Sequence, residues 1–266
     1  MLGKLLKHEF RATARVFLPF YGAMVAVAIV TRILDAFREN SYARGSVYGG
    51  VPQGIGLSIT IMMICAVCIV ALILTIQRFN KNLLGDEGYL MFTLPVGTDS
   101  LVFSKLTASV AWTLASIILA IAALAIAIPG FAGGFNRFFS EVLNAMFRTS
   151  TATTLGSIIL LITCLLSMAW FSLSIYAANS LAMISNNRRG LAGFGFWILI
   201  AIVAQIVTTV AIRIGAELDF MDWVFRIGED KQILFGALIT FVYVLVGCVV
   251  LYFITRYMLK QKLNLE

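Results

Sequence analysis

The sequence predicts an all-α membrane protein of six transmembrane helices, and three observations predict it. Charged residues are 12% of the 266, about half their share in a soluble globular chain. Mean hydropathy is +0.96. The uncharged residues also gather into six runs, at 16–31, 51–77, 106–136, 149–187, 190–212 and 232–255. At a rise of about 1.5 Å per residue, a hydrocarbon layer of about 30 Å takes roughly 20 residues to cross. Five runs meet that length. The first is shorter, with Arg15 and Arg32 placed to snorkel from its ends. Spans are therefore expected near 16–33, 53–77, 106–128, 154–182, 191–213 and 233–255, in one domain covering 1–266.

Residues 1–15 place Leu2, Leu5, Leu6, Phe10 and Ala14 at helical spacing, with Lys4, Lys7, Arg11 and Arg15 mostly off that stripe. This predicts a basic amphipathic helix lying in the headgroup plane before the chain turns into the bilayer. It has no signal-type apolar core ahead of the first span, so it is expected to be retained. The second span ends at a polar stretch, 78–96, where Asp86-Glu87, Gly88 and Pro95 suggest a one- or two-turn helix at the membrane surface. After the third span, Asn136 is a candidate cap for a helix with Phe138, Phe139, Val142, Leu143, Met146 and Phe147 on one side. That helix is expected to lie flat on the outer leaflet. The last external loop, 215–231, mixes five acids with Leu218, Met221, Trp223 and Phe225. It suggests a further interfacial or re-entrant helix, its aromatics serving as an anchor or touching substrate.

Basic residues set the orientation. With both termini inside, twelve of the 20 Lys and Arg face the cytoplasm against five acids, and the whole net charge of +7 falls on that side. Eight basic and eight acidic residues remain outside and cancel.

Little in the chain suits catalysis. His8 is the one histidine, so His-based triads and zinc helices are excluded, and no metal site is expected. Cys65 and Cys68 form a C-x-x-C spacing inside an apolar run without nearby His or acidic ligands, which reads as packing. Asp86 and Glu87, as sequence neighbours, point about 100° apart on a helix and do not converge on one proton. No G-x-x-x-x-G-K-[ST] loop is present to hold nucleotide phosphates. An enzyme is not expected, nor a nucleic-acid partner. The spans hold no Asp, Glu, Lys, Arg or His away from their ends, where ion-coupled transporters keep such groups. Their polarity is mild: Ser157, Thr163, Ser167, Ser172, Ser174 and Asn179 in the fourth, Gln205, Thr208 and Thr209 in the fifth. These residues serve either interhelical hydrogen bonds or a substrate path. Candidates for a path are Met62, Met63, Phe194, Trp197 and Gln205. A transporter of this make-up draws its energy from outside the chain, through its cytoplasmic loops.

One block carries a family likeness: Leu83-Leu-Gly-Asp-Glu-Gly-Tyr-Leu-Met-Phe-Thr-Leu-Pro-Val96, followed by Ser104-Lys105. Together with the basic amphipathic start, the six spans and the closing Leu259-Lys-Gln-Lys-Leu-Asn-Leu-Glu266, it resembles the ABC-2-type permeases, the six-span membrane subunits of ABC exporters. The likeness extends over essentially the whole chain, and its most specific part is Asp86 to Pro95. It implies a permease that pairs with a second copy or a sister permease and with two ATP-binding subunits, which hold the ATP and Mg; this chain itself needs no cofactor. It implies a coupling helix between spans two and three that docks on the ATPase, here Leu84, Asp86, Glu87, Gly88, Tyr89, Phe92 and Pro95. The N-terminal helix would reach the ATPase too, and Arg188 and Arg189 would make a second contact or serve as a positive-inside anchor. The implied setting is the bacterial cytoplasmic membrane with both termini cytoplasmic. The implied cargo is amphipathic or hydrophobic, such as a small peptide. An ATP-independent carrier or channel, and a membrane assembly factor, remain the alternatives.

Overall fold

The computed structural model describes residues 2–42, 51–81, 97–128, 130–148, 150–184, 189–217, 226 and 228–261. Among them the protein is helical: α1 (Leu2–Tyr42), α2 (Val51–Phe79), α3 (Thr98–Ala127), α4 (Phe131–Arg148), α5 (Thr151–Ala182), α6 (Arg189–Glu217) and α7 (Glu229–Gln261). Six of these are long and apolar enough to cross a membrane, α4 being the exception. The chain divides into two compact units, a smaller one of residues 3–74 and 111–141 and a larger one of residues 1–2, 75–110 and 142–266.

In the smaller unit, α1 buries one face. Thr13, Phe17, Met24, Ala28 and Thr31 are all buried, at spacings that keep them on one side of a 3.6-residue helix. Met24 and Ala28 pack with Val67 of α2 and with Ala123 and Ala127 of α3, and Met63, Ile64 and Leu119 close around them. Three of the five central residues are alanines. Lipid is as apolar as a side chain, so membrane helices associate through such close packing rather than through hydrophobic transfer. At one end Thr31 Oγ1 donates to the Gly56 carbonyl at 3.0 Å and lies 3.0 Å from Thr60 Oγ1. A Cβ on Gly56 would stand 3.0 Å from Thr31 Cγ2. Further along, the Phe17 ring stacks on Trp112 at 4.8 Å and Tyr21 hydrogen-bonds Ser116 at 2.7 Å.

Two expectations change here. Residues 2–42 form one helix, running through Pro19, rather than a surface helix that turns into a span. Only Pro19 interrupts the helical signals between the two segments, and its missing N–H is tolerated where neighbouring helices support the backbone. The helix expected from Asn136 starts five residues earlier, at Phe131, after Gly130 at φ 78°. Asn136 is therefore an interior residue and not the cap. The amphipathic character is present: Phe131, Phe135 and Phe139 stack in series at 6.2 and 6.1 Å, and Phe138 and Leu143 are exposed with them.

In the larger unit, α5 is the helix the others pack on. Ser150 caps it, its side chain accepting from the Thr153 N–H at 3.2 Å. Gly156 lets α7 approach until a Cβ there would be 3.0 Å from Leu234 Cα. Gly247 of α7 likewise lies against the Trp170 indole. On α6, past Gly193 no residue is buried, so most of that helix faces outward from its unit.

Candidate functional site

Residues 82–96, and with them Leu84, Asp86, Glu87, Gly88, Tyr89, Phe92 and Pro95, lie outside the described residues, as does Arg188; Arg189 opens α6. What the structure describes is how the two ends of that stretch are held in the larger unit.

At the outgoing end, Phe79 is 1% exposed and its ring stacks on Tyr176 of α5, with centroids 4.4 Å apart and planes 10° from parallel. The next residue, Asn80, donates from Nδ2 to Asn179 Oδ1 at 3.1 Å. Asn179 in turn donates to the carbonyl of Ile175, one turn back. A Cβ on Gly193 of α6 would stand 3.0 Å from the same Asn179 oxygen. Asn179 thus sits where α2, α5 and α6 meet. Placing Tyr176 and Asn179 three residues apart on α5 puts them on one face, and that face receives both Phe79 and Asn80.

At the returning end, the Gly97 carbonyl accepts from the Ser100 N–H at 2.9 Å and starts α3. Asp99 lies in its first turn, where the helix dipole favours a negative charge. Its Oδ1 accepts from Tyr252 Oη at 2.8 Å and from Arg256 Nε at 2.9 Å. Tyr252 and Arg256 are four residues apart, on one face of α7. One end of residues 82–96 is therefore fixed to α5 and the other to α7. A displacement of that stretch has two described routes into the spans.

A polar line continues inward from this frame. Thr75 of α2 and Ser109 of α3 are 3.5 Å apart, and Ser109 lies 2.8 Å from Ser172 of α5. Lys105 of α3 is 4% exposed and engaged with other groups. The third helix begins at Thr98, about two turns before the expected start at 106, because Lys105, which bounds the uncharged run, is taken into the helix buried and engaged rather than left to end the span.

Of the path candidates, Phe194 and Trp197 come together in the larger unit, their rings 6.3 Å apart. Trp197 Nε1 donates to Ser174 Oγ at 3.3 Å, which fixes it to α5, while Phe194 is 61% exposed. Gln205 is exposed, and its carbonyl accepts from Thr209. Met62 and Met63 belong to the smaller unit, Met62 70% exposed and Met63 packed against the Met24 cluster. The five do not form one lining within either unit.

Asp99, Tyr252, Arg256 and Asn80 were not among the residues singled out from sequence, whereas Asn179 was, as a group for interhelical hydrogen bonds or a substrate path. The available signal was the pairing of a first-turn Asp with an i, i+4 Tyr–Arg pair at the end of the last span. That signal needs the tertiary fold to bring α3 and α7 together.

These features define a polytopic α-helical membrane protein with a polar frame at the residues that flank 82–96. No family model, no curated protein and no solved structure matches the chain.

Proposed function

We propose that the chain is the permease subunit of an ATP-driven exporter, energised by a separate ATP-binding subunit that docks on residues 84–92. The observation that carries this reading is the Asp86–Pro95 block, set between ends that are tied to α5 and α7 through Phe79–Tyr176, Asn80–Asn179 and Asp99–Arg256. A segment tied at both ends to other helices passes a push on to them. The chain carries no phosphate loop of its own, so the free energy comes from a partner.

In this reading, closure of two ATPases presses on Leu84, Asp86, Glu87, Gly88, Tyr89, Phe92 and Pro95, with Arg188 and Arg189 as a second contact. The motion passes to α5 through Asn179 and to α7 through Asp99. Two permeases, identical or sister chains, flank the path. Phe194, Trp197 and Gln205 on α6, and Met62 and Met63 on α2, are the residues proposed to meet cargo. Uncharged apolar walls suit an amphipathic or hydrophobic molecule such as a small peptide. The chain resides in a bacterial cytoplasmic membrane with both termini inside.

Co-expression of the protein with its genetic neighbours, followed by purification, tests the reading. An ATP-binding subunit is expected in the complex, and its absence refutes an exporter. In the reconstituted complex, Glu87→Arg and Gly88→Pro are each expected to lower cargo-stimulated ATP hydrolysis at least fivefold while the permease stays folded; a reversed charge in a close contact costs several kcal/mol. Unchanged hydrolysis in both variants moves the coupling contact elsewhere.

A further inference from the structure

Because α1 is one helix from Leu2 to Tyr42, residues at its start keep fixed angular positions relative to those in its span. Glu9, Thr13, Phe17, Met24 and Ala28 are buried and, at about 100° per residue, share one side. His8, Arg11 and Arg15 fall on the opposite side and are exposed. That opposite side continues down the span as Leu18, Gly22, Ala26 and Ile29, all of them exposed. Leu18 is 60% and Ile29 46% exposed, and a Cβ on Gly22 would meet nothing within 4 Å. One face of α1 is thus open and apolar along the span and cationic at its end.

A half-open space of about 320 Å³ lies against His8, Arg11, Ala12 and Arg15. Among the described residues no carboxylate pairs with His8, Arg11 or Arg15. Arg15 immediately precedes the first apolar run. The headgroup layer adds roughly 5–7 Å beyond the hydrocarbon on each side, which is about four or five residues of helix. Arg11 and Arg15 fall within that depth.

We propose that this face of α1 is a binding site for an anionic phospholipid, its phosphate held by Arg11 and Arg15 beside His8 and its acyl chains lying along Leu18, Gly22 and Ala26. A lipid uses both halves of the face, its phosphate on the cations and its chains on the apolar continuation, whereas an acidic protein surface would use the cations alone. Guanidinium groups also suit phosphate, since their planar fork donates two hydrogen bonds at once. The site rests on the membrane-spanning fold and is independent of what the protein transports.

The test places the purified full-length protein in nanodiscs of phosphatidylcholine with increasing phosphatidylglycerol. Lipid retained after detergent washing is then counted by mass spectrometry. Phosphatidylglycerol should be retained in preference to phosphatidylcholine. The double variant R11Q/R15Q should weaken its apparent affinity at least tenfold, since each basic residue near an anionic surface contributes about a factor of five. A control pair, R137Q/R213Q, removes two other exposed cations and should retain lipid as the parent does. Gly22→Trp, which keeps both arginines and fills the chain path, should also lower retention. Equal retention of the two lipids, equal loss in the control pair, or full retention in Gly22→Trp overturns the site. So does displacement of the lipid by soluble glycerophosphate at equal concentration, which would make the ligand a free phosphate. If R11Q/R15Q keeps its phosphatidylglycerol but loses binding to a soluble ATP-binding subunit, the face belongs to protein docking and the lipid site is wrong.

Discussion

At Gly156 the missing side chain sets how closely α5 and α7 run. A Cβ there would stand 3.0 Å from both the Cα and the N of Leu234, and backbone atoms cannot rotate away as a side-chain tip can. Replacing glycine by alanine inside a helix normally stabilises it by about 1 kcal/mol. Overpacking a tight contact costs about 1–3 kcal/mol, and against backbone atoms the upper part of that range applies, so the clash wins by about 1–2 kcal/mol. Gly156→Ala should therefore lower the apparent melting temperature in detergent by about 2–8 °C. Gly195→Ala and Gly236→Ala, where a Cβ meets nothing within 4 Å, should hold or raise it. Equal behaviour of all three variants would mean that α5 and α7 are not in contact at Gly156. No residue pattern marked this glycine in advance: an isolated Gly in an apolar run signals a close approach only once its neighbour is known.

Among the elements, α3 and α7 are joined by Asp99, Tyr252 and Arg256, and the strength of that link separates stability from coupling. The Arg256 and Asp99 side chains remain 35% and 45% exposed, and such pairs contribute about 0–1 kcal/mol. Asp99→Asn should consequently shift the melting temperature by less than about 3 °C. If the returning end of residues 82–96 transmits motion to α7, the same substitution should lower cargo-stimulated ATP hydrolysis severalfold, and the charge exchange D99R/R256D should recover part of it. Full stimulation in Asp99→Asn would remove α7 from the route. Spans were legible because hydrocarbon thickness imposes a length that composition alone displays. Their ends were not, because a charge stops a span only when it is unpaired. Lys105, which bounds the uncharged run at 106, is 4% exposed and engaged with other groups, and α3 accordingly begins before it, at Thr98. The continuity of α1 was hidden for a related reason: its pattern changes from amphipathic to wholly apolar while the helix itself goes on. The candidate coupling residues rest on the sequence block alone, while the frame that holds their ends is tertiary and was not legible in it.

Across the whole molecule, the membrane assigns sides by counting crossings, and the charges then say which side is which. Three helices long and apolar enough to span, α5, α6 and α7, separate α4 from the end of α7. An odd number of crossings puts Ser140 and Lys260 on opposite sides whatever the orientation. The proposed orientation, with the side of α7's end cytoplasmic, places all of the net +7 there and leaves the other side neutral. The four native cysteines lie within the spans, so replacing them by alanine leaves a background free of thiols for single-site labelling. Ser140→Cys should react with a membrane-impermeant maleimide in intact cells, and Lys260→Cys only after the membrane is permeabilised; both positions are exposed in their helices. The reverse pattern would keep six spans and invert the orientation, placing residues 82–96 outside the cell and beyond the reach of any ATPase. Labelling of both sites from one side would break the count itself, since it requires an even number of crossings where the fold supplies three.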